Sequence, residues 1–183
     1  MLYMIQNIYN ILIKMNQTHS ILIIIAILSS LLLYFLIPEE KKDSISTLEG
    51  VTLTSITGQQ FKLAGQFTEK PILLVFWSTT CGNCIEEIPF ICKLHETMSD
   101  KITIMGIHQN YNLKKIQKFV KKFKPAIKYM LAIDTNYSLT KTYQISALPR
   151  TILVDRTGKI LYDHLGYSPD NEKEVINAIN SIK

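Results

Sequence analysis

Cysteine is scarce in this chain: its 183 residues carry three, at Cys81, Cys84 and Cys92. So few exclude a mini-protein stapled by several disulfides, and an odd number leaves one thiol without a partner. Histidine is thin as well, with four scattered along the chain. No second Cys-x-x-Cys and no His-x-His accompanies the first cysteine pair, so zinc would lack its second pair of ligands. The net charge of +5 comes from scattered lysines rather than from an arginine-rich cluster with interleaved aromatics, which argues against a nucleic-acid partner. Internal repeats and low-complexity tracts are absent. Small residues are missing where the long apolar run ends in "LLLYFLIPEE", so an A-x-A-like cleavage site is absent, and no cysteine follows that could carry a lipid.

What is present is the composition of a folding chain, 47% apolar and 19% charged, long enough for one ordinary domain plus an appendage. Ser20–Ile37, "SILIIIAILSSLLLYFLI", is uncharged and apolar all round, which predicts one uncleaved N-terminal transmembrane helix. Residues 1–19 form a mostly apolar tail that reads as an interfacial helix on the membrane surface, and residues 38–48 form a short charged linker. The folded domain is expected over residues 49–183. Lys14 precedes the run, and Lys41 and Lys42 follow it together with acidic residues, so the lysine count does not orient the span.

From Glu49 onward, strand and helix patterns alternate. "VTLTSITGQQFKL" predicts a hairpin turning at Thr57–Gly58, and "PILLVFW" predicts a central strand buried on both faces. Helical periodicity runs through "CIEEIPFICKLHETM", followed by a strand "KITIMGI", a lysine-rich helix over Leu113–Phe123 and a strand over Tyr129–Ile133. "NYSLTKTYQI" reads as helical, and "RTILVD" and "KILYDHL" flank a Thr157–Gly158 turn. The last helix is expected over Pro169–Ile182, with Ser168 as its N-cap. The alternation predicts one α/β sandwich around a mixed sheet.

The stretch that carries chemistry is Trp77–Pro89, "WSTTCGNCIEEIP". Cys-x-x-Cys between a buried strand and a helix fits a redox dithiol better than a structural disulfide, which rarely closes so small a ring there. A thiol at a helix N-terminus faces unpaired N–H groups and the positive end of the dipole, so Cys81 is expected to be the nucleophile. Cys84, one turn in and more buried, suits the resolving role. Glu87 lies about 60° around the helix from Cys84, whereas Glu86 points roughly 160° away. A partly buried Glu87 carboxyl would accept the Cys84 proton; the alternative is a solvated helix glutamate. Pro89 removes one helical N–H and predicts a kink.

"VFWSTTCGNC", "ALPRTILVD" and "TGKILYDHLG" together resemble the thioredoxin superfamily, and within it the membrane-anchored TlpA/ResA/DsbE(CcmG)-like thiol–disulfide oxidoreductases. Phe76, Trp77, Cys81, Cys84, Glu87 and Pro89 are in register with that group's motif, while Thr80 replaces its usual second tryptophan. The resemblance implies a thioredoxin-like fold, with a central mixed sheet flanked by helices and preceded by an N-terminal β-hairpin. It implies a cis Pro149 facing the dithiol, a Leu148 backbone able to pair with an extended substrate segment, and Trp77 among the substrate-binding residues. Cytoplasmic thioredoxins carry a buried acid where this chain has Val75, and Glu87 matches the acid that the anchored group uses instead. Arg150 departs from the usual Thr or Glu. It either adds positive potential near Cys81 or simply starts a strand on the solvent side.

The function implied is a protein-disulfide reductase of the bacterial inner membrane, single-pass, its catalytic domain facing the periplasm or outside. It would act on disulfide-containing exported proteins, apocytochrome c in cytochrome c maturation foremost, and be re-reduced by a membrane thiol transporter. No metal and no cofactor beyond the Cys81–Cys84 pair are implied. Two rivals are a DsbA-like oxidant, whose middle dipeptide usually carries a histidine where Gly82–Asn83 stand, and a copper-binding chaperone of related fold, which spaces its cysteines C-x-x-x-C. Cys92 reads as a buried structural thiol. Lys114, Lys115, Lys118, Lys121 and Lys122 read as a solvated helix face that would also suit anionic headgroups.

Overall fold

The structure, a computed structural model, describes residues 17–36, 48, 50–66, 70–109 and 112–182, with side chains in the first helix described over 21–30. Residues 1–16 of the expected tail 1–19, and residues 38–47 of the expected linker, lie outside the described residues. Residues 1–41 and 42–183 form two separate units.

The first unit contains helix α1 (Gln17–Leu36), which overlaps the expected span Ser20–Ile37. Its side chains over 21–30 are all exposed. Among the described residues no helix is long and apolar enough to cross a membrane.

The second unit is built on a sheet of β1 (Thr52–Ser55), β2 (Gln60–Lys62), β3 (Ile72–Trp77), β4 (Thr103–His108), β5 (Met130–Ile133), β6 (Arg150–Val154) and β7 (Ile160–Leu165). Their spatial order is β2-β1-β5-β4-β3-β6-β7. The centre is parallel, β3 with β4 and β4 with β5, and the flanks are antiparallel. Parallel neighbours need crossovers. These are α2 (Gly82–Met98) between β3 and β4, and α3 (Leu113–Lys122) between β4 and β5. A short α4 (Ser138–Thr142) precedes β6, and α5 (Asn171–Asn180) closes the chain.

All six residues of β3 are buried, as its unbroken apolar run requires of a strand covered on both faces. Leu73, Val75 and Trp77 pack with Cys84, Ile88 and Ile91 of α2, Ile116 of α3 and Val175 and Ile179 of α5. Ile72, Leu74 and Phe76 face the other way, onto Leu53, Leu63, Leu139 and Tyr143. Leu48 joins this second core, so the folded domain takes in the last residue of the expected linker.

Two local expectations are corrected. The last helix starts at Asn171 with Asp170 as the cap residue, not Ser168. Residues 168–171 instead form a turn, in which Asn171 N–H donates to the Ser168 carbonyl and the Ser168 hydroxyl donates to Asn171 Oδ1 at 2.7 Å. The helix expected through "NYSLTKTYQI" shrinks to α4 because Tyr137 and Gln144, at its ends, adopt left-handed φ of 57° and 50°. Buried Asp134 holds its start by accepting N–H bonds from Leu139 and Thr140. The helix through Pro89, by contrast, runs unbroken from Gly82 to Met98.

Candidate redox site

The end of β3 delivers the chain to α2 through the turn Ser78–Thr80, and the turn is anchored from the neighbouring strand. Thr79 N–H donates to Nε2 of buried His108, the last residue of β4, at 3.1 Å. This His108 nitrogen fixes the segment leading into Cys81, and nothing in the local sequence marks it, because the contact spans two parallel strands.

Cys81 is the N-cap residue of α2, in extended conformation at φ −96° and ψ 112°. Its sulfur accepts the backbone N–H of Cys84 at 3.2 Å, so one of the unpaired donors of the helix end points straight at it. Cys81 is half-buried, Gly82 and Asn83 are exposed and Cys84 is 1% exposed. The two sulfurs are joined as a disulfide. One sulfur that a protein partner can reach and one that it cannot is the asymmetry a two-step exchange requires.

Glu87 and Glu86 separate as helical geometry predicts: Glu87 is 4% exposed and Glu86 is exposed. Burial pushes the Glu87 pKa up from 4.5 to about 7, while the Thr151 hydroxyl, donating to Oε1 at 2.8 Å, works against that rise. Its other oxygen, Oε2, is buried without a hydrogen-bond partner among the described residues. Thr151 lies opposite Val75 in the ladder between β6 and β3. The acid on the helix is therefore bonded to the strand residue paired with Val75. A carboxyl that exchanges its proton near neutral pH, one turn beyond the covered cysteine, is suited to general-base work.

The Leu148–Pro149 peptide bond is cis, at the entrance to β6. Pro149 is buried, its carbonyl accepting Gly166 N–H at 2.8 Å, and Leu148 is half-buried. Arg150 does not simply face solvent. Its guanidinium forms a bidentate pair with Asp163 of β7, Nε to Oδ1 at 2.5 Å and Nη2 to Oδ2 at 2.6 Å, so its charge is met locally.

Trp77, expected among the substrate-binding residues, lies in the core. It is 1% exposed, edge-on to the His108 ring at 4.9 Å and tilted against Phe119 of α3 at 5.6 Å. The physical cause is strand alternation, which turns Trp77 to the same face as Val75, where α3 closes over it. Cys92 is the free thiol; it is buried, within 3.9 Å of the Ala126 carbonyl, and burial raises its pKa. The α3 lysines are all exposed. Among the described residues no group of three His, Cys, Asp or Glu side chains is placed to hold a metal ion.

Comparison with known proteins gives a consistent result. Residues 41–179 match the family model described as Redoxin. The thiol-disulfide oxidoreductase ResA of Bacillus thuringiensis subsp. konkukian is 27% identical over 137 residues, which are 74% of this chain and 78% of the relative. A structure described as a thiol:disulfide interchange protein DsbE of Chlorobium tepidum shares the fold at a TM-score of 0.64, with 24% identity over 71% of this chain and 90% of that one. The thioredoxin domain of a thiol-disulfide oxidoreductase of Bacteroides vulgatus superposes at a TM-score of 0.60 with 25% identity, covering 71% of this chain and 93% of that one.

Proposed function

The chain belongs to the Redoxin family, and from that premise we propose that it reduces disulfides of exported proteins from a membrane tether, its catalytic domain facing away from the cytoplasm. The underlying activity is that of a thiol–disulfide oxidoreductase of the ResA/DsbE type, with Cys81 and Cys84 as its redox pair. The single observation that carries the mechanism is the exposure split across the pair, with the Cys84 N–H directed at Cys81 Sγ.

In the forward direction the Cys81 thiolate attacks one sulfur of a substrate disulfide. A mixed disulfide forms and the first substrate thiolate leaves. Glu87 takes the thiol proton of Cys84, and the resulting thiolate attacks Cys81 Sγ. The Cys81–Cys84 bond closes, the second substrate thiolate departs, and two electrons have passed from enzyme to substrate.

The tether rests on the uncharged run Ser20–Ile37, and the outward orientation on the chemistry, because disulfides needing reduction accumulate outside the cytoplasm. The bacterial inner membrane is the fitting location, crossed once. Apocytochrome c before haem attachment is the substrate we favour, and a membrane thiol transporter the reductant. The Cys81–Cys84 pair serves as the redox group without a further cofactor. Leu148 and Pro149 form the rim along which an extended substrate segment would lie.

One experiment reads both side and direction. Protoplasts or spheroplasts expressing the full chain are treated with a membrane-impermeant thiol reagent. The proposal predicts labelling of Cys81 without prior reduction, because the domain is outside and is held reduced. Labelling only after added reductant would indicate an oxidant of the DsbA kind, and labelling only after lysis would overturn the orientation.

A further inference from the structure

Thr151 is the one polar side chain of β6 turned toward α2. It is 2% exposed and faces the same core as Leu153 of its own strand and Val75 of β3. Valine would fill this β-branched position with the same shape, so what threonine adds is a hydroxyl. Burying a hydroxyl there is unfavourable unless it is hydrogen-bonded. The observed partner is Glu87 Oε1, at 2.8 Å.

A threonine hydroxyl has one hydrogen. Donated to Oε1, it occupies that oxygen and fixes the plane of the carboxyl group. Oε2 is left buried with no hydrogen-bond partner among the described residues, so both of its lone pairs are open to a proton, whereas Oε1 already shares one with the Thr151 hydroxyl. The bond also favours the ionised carboxylate, against the burial that favours the acid. A base that stayed protonated at working pH would take nothing from Cys84, so the hydroxyl decides over what pH range Glu87 can act.

We infer that Thr151 is a positioning residue for the resolving step: its hydroxyl holds Glu87 Oε1 so that Oε2 receives the Cys84 proton. The inference rests on the reading of Glu87 as the base. During that step the Cys84 S–H bond breaks and an O–H bond forms at Oε2. The Cys84–Cys81 bond forms as the bond from Cys81 to the substrate sulfur breaks, and the substrate leaves as a thiolate.

Other titratable groups turned toward the same corner are accounted for. Tyr162 and Tyr167 are held up to about 12 by burial, and the buried Tyr129 is raised further, so none changes charge near neutrality. His164 of β7 lies opposite Thr151 in the ladder and approaches Glu174 of α5 at 3.7 Å. Its contribution is removed by comparing variants in a His164→Gln background. Glu86 lies on the exposed side of α2.

The test uses the full chain in detergent, with Thr151→Val, Thr151→Ser and Glu87→Gln beside the native protein. Two quantities are read against pH: the rate at which Cys84 resolves a mixed disulfide between Cys81 and a synthetic peptide thiol, and the infrared carboxyl stretch that disappears in Glu87→Gln. In Thr151→Val both midpoints should move up by about one pH unit, with resolution about tenfold slower below the midpoint. Both should return toward native values in Thr151→Ser. Unmoved midpoints in Thr151→Val, an equal shift in Thr151→Ser or a pH-independent loss of rate would each overturn the assignment of the hydroxyl. If Glu87→Gln resolves at the native rate while the infrared midpoint still follows Thr151, it is the base reading that fails.

Discussion

A helix glutamate ordinarily ionises well below neutral pH, and Glu87 does so only near 7 because the sheet and α2 strip its water away. The consequence for folding has a definite sign. Between about pH 4.5 and 7 the folded protein keeps a proton that the unfolded chain has lost, so stability falls as pH rises through that window. The fall should amount to as much as about 3 kcal/mol at one carboxyl, and Glu87→Gln should flatten it. Chemical unfolding of the oxidised protein at pH 5 and pH 8 checks this. The same variant should resolve mixed disulfides at least about 10-fold more slowly, with the deficit shrinking at high pH where Cys84 ionises unaided. Glu86→Gln should stay near the native rate. Glu87 was legible in the sequence because one helix carries both it and Cys84, so the 3.6-residue period alone places them together. Thr151 was not, since a threonine in "RTILVD" is an ordinary strand residue and its partner stands 64 residues away. The burial of Trp77 is illegible for a related reason: whether an aromatic beside Cys-x-x-Cys is covered depends on where α3 lands.

Among the elements, those with strong periodicity or unbroken apolar runs were legible, and their order along the chain followed. β3, α2 and α3 lie within a residue or two of their expected bounds, because burial on one stripe or on both faces leaves a pattern in the sequence. The start of α5 did not follow from "SPD", since a Ser-Pro pair serves a turn as readily as a helix N-terminus. Sheet order and the pairing of β6 with β3 rest on contacts between distant segments, which no local pattern encodes. Gly106 of β4 is such a case. A Cβ there would come within 2.6 Å of Leu131 Cδ2 and 3.2 Å of Trp77 Nε1, so the glycine makes room for the layer beneath the redox turn. Gly106→Ala should therefore destabilise the domain by about 1–3 kcal/mol, read as a lower melting temperature. A melting temperature equal to the native one would show that Leu131 and Trp77 give way freely.

For the molecule as a whole, the resemblance in the sequence, the family match and the fold converge on one oxidoreductase domain following an apolar N-terminal segment. The tether is proposed from the apolar run, the side of the membrane from the redox chemistry, and the substrate from the family resemblance. The measurement that tests the account most directly is covalent trapping in cells with full-length Cys84→Ala, in which a mixed disulfide at Cys81 cannot be resolved. The account predicts adducts with exported, cysteine-containing proteins, apocytochrome c among them, all lost when Cys81 is also replaced. Adducts with cytoplasmic proteins, or adducts that persist without Cys81, would contradict it.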